Sequence, residues 1–224
     1  MDYSPLLISL KTSIIATFIT FLIGVYVAYL VTKLNRFKGL IDGILTLPLV
    51  LPPTVVGFFL LISLGKNSIV GKYLALYDKS VVFSVTAAII ASTVVSLPLM
   101  YRTTRGAFEQ LDRDIIHVAK TLGLSEHKIF LKIMLPNSFP SIMAGTILAF
   151  ARALGEFGAT IMVAGNIPGK TQTMSVAVYT AVQAGNRPLA YQWVFVMAII
   201  SFVSMIIMNK FDKNQFSRAG KAVN

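Results

Sequence analysis

Arg152 and Glu156 carry the only charges in an otherwise apolar stretch, residues 141–165. They are four positions apart, so on a helix their side chains lie on one face. A lone charge in hydrocarbon is strongly unfavourable, and such residues pair with one another or mark a functional site. Two roles are therefore open: an ion pair that satisfies much of the arginine charge locally, or direct contact of Arg152 with an anion.

Three prolines, Pro48, Pro52 and Pro53, interrupt a second apolar stretch, residues 43–65. Proline has no backbone N–H, so a helix through this stretch must kink, and the freed carbonyls need neighbours or a water-filled cavity. A bend at membrane depth suits a moving gate, and it equally suits a static kink that shapes a helix bundle. The sequence leaves both interpretations open.

No arrangement of residues predicts catalysis, a metal site or a bound cofactor. The two histidines, His117 and His127, lie in one charged segment without cysteines or clustered carboxylates. A glycine-rich phosphate loop is absent, so the chain is not expected to bind ATP itself. We therefore predict that the protein is not an enzyme on its own.

The composition requires a membrane setting for these residues. Hydrophobic residues make up 55% of the 224 residues, charged residues 13%, and the mean hydropathy is +0.74. Windows of about 20 apolar residues are long enough to cross a bilayer as helices. We predict a single all-α domain, residues 1–224, with five transmembrane helices at about 8–33, 41–65, 80–101, 139–165 and 188–209. The segment 171–186 is too short and polar for a sixth span, and we predict an external or re-entrant helix there.

The net charge is +11, and the basic residues responsible for it are unevenly distributed between the predicted spans. Thirteen of the 20 lysines and arginines fall in the segments after spans one, three and five. With five spans these segments share one side, which the positive-inside rule assigns to the cytoplasm. We predict an N-terminus outside, a cytoplasmic C-terminus and a lipid bilayer as the partner of the basic residues, with no role in nucleic-acid binding.

The loop at about residues 102–138 is predicted to form a helix, a glycine turn and a second helix. Apolar residues at helical spacing predict one amphipathic face, with Asp112 or Asp114 near its start: Phe108, Leu111, Ile115, Val118 and Leu122. Gly123 ends this helix, Ser125 is expected to cap the next one, and Pro136 is expected to stop it. The loop either packs on its own bundle or binds a soluble partner.

The order Ala119, Gly123, Ile133, Leu135 and Pro136 resembles the EAA loop of ABC importer permeases. In that family the loop forms a coupling helix that docks on the ATP-binding subunit, so the resemblance implies a type I importer permease fold. His117 and Val118 stand where the family has its name-giving Glu and first Ala. The implied coupling residues are His117, Val118, Ala119, Gly123, Leu124, Ser125, Ile133, Leu135 and Pro136.

Two more segments, residues 47–61 and 151–174, resemble the molybdate permease family, which has sulfate and tungstate permeases as near relatives. The resemblance implies a cell-membrane (inner-membrane) protein that imports an oxyanion. Its partners would be a second copy of itself, an ABC ATPase subunit and an extracytoplasmic oxyanion-binding protein. A secondary transporter is the remaining alternative, although no internal repeat is visible. Candidate pathway or gate residues are Pro48, Pro52, Pro53, Thr54, Arg152, Glu156 and Thr160, with Asn166 and Thr171 as weaker candidates.

Overall fold

The computed structural model describes residues 2–34, 36–77 and 80–221, and within these ranges the chain is helical with no strand. The helices are α1 Ser4–Thr32, α2 Lys38–Val50, α3 Pro53–Leu64, α4 Ile69–Ala75, α5 Val85–Glu109, α6 Arg113–Thr121, α7 Glu126–Ile129, α8 Leu135–Leu154, α9 Gly158–Ala164, α10 Met174–Gln183 and α11 Arg187–Lys221. A π-helical turn, Phe130–Met134, joins α7 to α8.

Four helical stretches among the described residues are long and apolar enough to cross a bilayer: Ser4–Thr32, Val85–Glu109, Glu126–Leu154 and Arg187–Met208. The bent pair of α2 and α3 makes a fifth if it counts as one broken span. The predicted all-α membrane bundle is therefore confirmed.

The bundle has two ends. The first, which we call the loop end, contains the end of α1, the start of α2, the end of α5, and the short helices α6 and α7. The ion pairs Lys33–Glu126 and Lys38–Glu109 join these elements. At the other, which we call the distal end, the backbone N–H of Met174 donates to Ser9 Oγ at 2.7 Å. That bond holds the start of α10 against the first turns of α1.

Small residues let the central helices α1, α5 and α8 approach closely. Ala16 and Ala28 of α1, Ala91 of α5 and Ala149 of α8 have no exposed surface. A Cβ added at Gly24 of α1 would lie 2.8 Å from Cγ of Met100 on α5. In a membrane, where water does not drive helices together, such close packing is a main source of association energy.

The second predicted span, 41–65, is broken more sharply than a kink. The axes of α2 and α3 differ by 109°. Pro48 stays inside α2, and the break falls at Leu51 and Pro52, where the backbone is extended. Pro53 then begins α3, a position at which a missing backbone N–H costs nothing.

The fourth predicted span, 139–165, is not one helix, and this prediction is wrong. The helical stretch begins earlier, at Glu126, and ends at Leu154. Three residues, Gly155 to Phe157, separate α8 from the short helix α9. The apolar character of residues 158–164 comes from packing against α3 and α5 rather than from continuing the span.

Segment 171–186 contains one short helix, α10, of ten residues. It packs on α11 and on the start of α1. Its length agrees with the prediction of a helix that does not span the bilayer.

Candidate functional site

The first helix of the loop, α6, has a defined start and a defined stop. Asp112 precedes it, and its carboxylate accepts a hydrogen bond from the Asp114 backbone N–H at 2.8 Å. At its end Gly123 has φ +76°. Leu124 N donates to Ala119 O at 3.1 Å and Gly123 N to Lys120 O at 3.0 Å, which is the Schellman pattern. Gly123 is thus required for its backbone conformation, as predicted.

The five residues predicted to share one face of this helix do not lie on a single helix, and that part of the prediction is wrong. Phe108 belongs to α5, which ends at Glu109, and is only 3% exposed. Because the chain changes direction after α5, the other members separate from it: Ile115, Val118 and Leu122 are 51%, 58% and 75% exposed. They form an apolar face, which we call the outer face of α6, that the bundle does not cover.

The second helix of the loop differs from its prediction at both ends. Ser125 occupies the N-cap position, but its side chain makes no capping hydrogen bond. Pro136 does not stop the helix, because the π-helical turn runs directly into α8. Leu135 N bonds to Phe130 O in the wider π register, and Pro136 falls in the first turn of α8, where proline is tolerated.

Aromatic contacts hold the loop against the bundle. The ring of Phe130, in the π-helical turn, lies 4.2 Å from the ring of Tyr29 on α1 and 6.1 Å from that of Phe108 on α5. Aromatic pairs at these separations add to the stability gained from burial. The loop is therefore fixed to two spans by one side chain, a residue whose role the sequence pattern did not reveal.

A charge contact reinforces this attachment. Lys33, just after α1, forms an ion pair with Glu126, and its ammonium group lies 4.2 Å from the centre of the Tyr29 ring. Tyr29 also donates to the Glu126 backbone carbonyl at 3.3 Å. Burial alone would lower the pKa of Lys33, but its hydrogen bonds to Glu126 and Tyr29 raise the pKa above its usual value.

A second charge network ties the start of α2 to the end of α5. Lys38 Nζ lies 2.7 Å from Glu109 Oε1, and Arg105 Nε lies 2.8 Å from the same oxygen. Arg105 also pairs with Asp42, which accepts a hydrogen bond from the Tyr101 hydroxyl. Arg105 and Glu109 are four residues apart on α5, but Lys38 and Asp42 are distant from them in the sequence, so local spacing could not have predicted the contacts between α2 and α5.

The helices that follow the two breaks, α3 after Pro52 and α9 after Phe157, pack against each other. A Cβ added at Gly57 of α3 would lie 2.7 Å from Cα of Ala159 on α9. A Cβ at Gly158 would lie 3.0 Å from Cβ of Pro53 and 3.1 Å from the backbone nitrogen of Thr54. We call this contact, residues 53–57 against 158–162, the break seam. Glycine allows the two backbones to approach as no other residue would.

Arg152 and Glu156 form the ion pair that their spacing predicted. Arg152 Nη1 lies 2.6 Å from Glu156 Oε2, and Glu156 Oε1 accepts the Ala159 backbone N–H at 2.8 Å. The glutamate side chain is 1% exposed and the arginine side chain 29%. Glu156 therefore fixes the start of α9 and compensates the arginine charge at the same time.

The remaining predicted pathway residues differ in their exposure and hydrogen bonding. Thr54 is exposed at the seam, whereas Thr160 is fully buried and its hydroxyl has no hydrogen-bond partner among the described residues. Asn166 donates to Thr180 Oγ1 at 3.0 Å, and Thr171 Oγ1 accepts from Ile167 N at 3.1 Å. These last two contacts hold the connection between α9 and α10, which gives Asn166 and Thr171 a structural role.

Solved structures of ABC transporters share this fold. A chain of the inward-facing MetNI methionine ABC transporter superposes with a TM-score of 0.72, at 16% identity, over 94% of both chains. A chain of a bacterial ABC transporter that imports the acidic polysaccharide alginate gives 0.75, at 14% identity, over 94% of this chain and 78% of that one. The expected type I importer permease fold is confirmed.

Sequence comparison gives the family. Molybdenum transport system permease proteins match along nearly the whole chain: YvgM of Bacillus subtilis, described as putative, is 40% identical over 93% of this chain and 92% of its own length, and ModB of Escherichia coli K12 is 39% identical over 98% and 97%. The family described as "binding-protein-dependent transport system inner membrane component" matches residues 20–216. The resemblance drawn from the loop and the two other segments is confirmed. The chain belongs to the family of inner membrane components of binding-protein-dependent transport systems.

Proposed function

We propose that this chain is the permease subunit of an ABC importer that carries molybdate across the cell membrane. The observation that carries the proposal is the similarity, at about 40% identity and over nearly the full length, to molybdenum permease proteins. A permease for tungstate or for sulfate and thiosulfate is the alternative, because these anions have the same tetrahedral shape and charge.

We propose that the outer face of α6 binds a separate ATPase subunit in the cytoplasm. An apolar face that its own bundle leaves open is typical of a docking surface. The basic residues around the loop support its cytoplasmic position and, with five spans, an external N-terminus. ATP would bind only to the partner, since this chain lacks a phosphate-binding loop.

We propose that a second copy of the chain completes the pathway. No residue of α2 is buried in the single chain, although the helix is apolar, with Leu40, Ile44 and Leu47 among its exposed residues. A face of this kind in a membrane protein suits either lipid or a partner helix, and a pathway between two copies requires the latter. An extracytoplasmic binding protein would deliver the oxyanion at the distal end.

We propose the break seam as the moving part of the pathway. Broken helices at membrane depth line substrate routes in many transporters, because irregular backbone is tolerated only where it is buried or faces a cavity. Pro52 and Pro53 set the break in the first helix pair, and Pro48 lies inside α2 just before it. Arg152 is engaged by Glu156, so the neutral hydroxyl of the exposed Thr54 is the better candidate for a weak contact with a passing anion. Thr160 is fully buried and would become accessible only when the seam opens.

Reconstitution in liposomes tests this function. The chain and its ATPase subunit are incorporated together, and ATP hydrolysis is measured with the binding protein loaded with molybdate, tungstate or sulfate. We expect the molybdate-loaded protein to stimulate hydrolysis most, with matching uptake of the anion. Stimulation only by the sulfate-loaded protein would identify sulfate as the substrate in place of molybdate. If the complex assembles and none of the three loaded proteins stimulates hydrolysis, the oxyanion assignment is refuted.

A further inference from the structure

A cavity of about 630 Å³ lies at the loop end, between α6 and the bundle. Four cationic side chains from three separate parts of the chain line it: Lys33 after α1, Lys38 at the start of α2, and Arg113 and Lys120 on α6. Its apolar wall includes Phe108 and Ile116. The transport function proposed above makes no use of this cavity.

More cationic side chains than carboxylates line the cavity. Glu126 is paired with Lys33 and Glu109 with Lys38. Arg113 and Lys120 form no ion pair with any residue that the structure describes. Two positive charges are therefore available to a ligand at one side of the cavity, close to two more that are already partly compensated.

The cavity is separate from the outer face of α6. Arg113, Ile116 and Lys120 recur at spacings of three and four, which places them on one side of the helix. Ile115, Val118 and Leu122 recur at the same spacings but two positions out of phase, on the opposite side. A ligand in the cavity would thus lie between α6 and the spans, and it would not compete with a protein bound to the outer face.

We propose that this cavity binds the phosphate headgroup of an anionic phospholipid. Lysine and arginine side chains near the ends of membrane spans bind such headgroups, and arginine matches the geometry of a phosphate oxygen pair. The apolar wall favours a lipid over a free ion, since a small oxyanion has no apolar part to place against Phe108 and Ile116.

The headgroup would connect the loop to the bundle. Arg113 and Lys120 move with α6, whereas Lys33 and Lys38 belong to the ends of α1 and α2. A single phosphate between them adds a non-covalent link beside the Phe130 contacts. The lipid would therefore restrain the position of α6, whichever anion the protein transports.

Lipid titration of the purified full-length chain in neutral detergent tests the proposal. Dioctanoyl phosphatidylglycerol is the probe, dioctanoyl phosphatidylcholine the neutral control, and binding is followed by native mass spectrometry. We expect Arg113→Gln with Lys120→Gln to weaken phosphatidylglycerol binding about 30-fold, and each single change about fivefold. Lys128→Gln is the matched control, since Lys128 is exposed on the same loop but does not line the cavity.

The outcomes are distinct. Selective loss in the Arg113 and Lys120 variants, with normal binding in Lys128→Gln, supports the site. Equal binding by the double variant and the wild-type chain overturns it, and so does equal binding of the two lipids. Inorganic phosphate is tested as a competitor, and displacement of the lipid at equimolar phosphate would assign the cavity to a free oxyanion instead. A variant that loses thermal stability is replaced by the charge-preserving exchange Arg113→Lys with Lys120→Arg, which must retain binding.

Discussion

The loop end and the break seam join helices by opposite means. At the loop end, long side chains bridge the elements: Lys33 reaches Glu126, and Phe130 reaches Tyr29. At the seam, Gly57 and Gly158 remove side chains so that backbones touch. One ion pair, Arg152 with Glu156, lies beside the seam, at the start of α9; its carboxylate is buried, whereas the loop-end pairs are partly exposed.

This difference predicts how each region responds to change. Long exposed side chains can lose one contact and find another, so the loop end tolerates substitution and can shift position. Close-packed backbones have no such freedom, because an added atom must displace main chain. The seam should therefore be sensitive to single atoms and the loop end sensitive mainly to backbone conformation.

Removing Arg152 should have the largest effect. Arg152→Met leaves the Glu156 carboxylate buried without its counter-charge, and losing one partner of a buried pair costs about 3 kcal/mol of the free energy of unfolding. Chemical unfolding in detergent measures it. Glu156→Gln is the comparison, since the amide oxygen can still accept the Ala159 N–H. A loss below about 1 kcal/mol in Arg152→Met would show that the pair is not held in a buried setting.

Adding one methyl group at the seam should come next. Gly57→Ala places a Cβ 2.7 Å from Ala159 Cα and 2.8 Å from Met162 Cβ, and overpacking of this kind costs about 2 kcal/mol. Gly106→Ala in α5 is the matched control, because a Cβ there meets nothing within 4 Å. Thermal unfolding should separate the two variants. Equal stability would mean that α3 and α9 are not in close contact.

Substitutions of Gly123 test whether the loop end is sensitive mainly to backbone conformation. Its φ of +76° disfavours side chains, yet a Cβ there meets nothing within 4 Å, so the demand is conformational only. Gly123→Val should cost about 1–2 kcal/mol in loop geometry and reduce uptake per ATP hydrolysed, with normal membrane insertion. Gly123→Asn should retain most coupling, because asparagine tolerates this conformation. Normal uptake by the valine variant would refute a coupling role for the turn.

The smallest effect is expected at Lys33. Its ion pair with Glu126 joins side chains that are 38% and 63% exposed, and such pairs contribute about 0–1 kcal/mol. Lys33→Met should therefore change the free energy of unfolding by less than 1 kcal/mol, well below the Arg152→Met effect. An equal loss in the two variants would remove the distinction between the regions.

The sequence predicted features that depend on local spacing and failed where distant contacts decide. The Arg152–Glu156 pair and the Gly123 turn follow from neighbouring residues, and both are present. The end of α8 at Leu154 was missed because residues 158–164 are apolar in either arrangement, and packing on α3 decides between them. The continuation of the helix through Pro136 was missed because a π-helical turn leaves no clear signal in the sequence.

The most direct test of the account is photo-crosslinking from single cysteines, since the chain contains none of its own. A benzophenone maleimide is attached at Val118→Cys, on the outer face of α6, or at Val182→Cys, exposed in α10 at the distal end. Each labelled chain is then assembled with the ATPase subunit in liposomes and irradiated. We expect a crosslink to the ATPase from position 118 and none from position 182. A crosslink from position 182 with none from position 118 would contradict the proposed coupling surface and the orientation of the chain together.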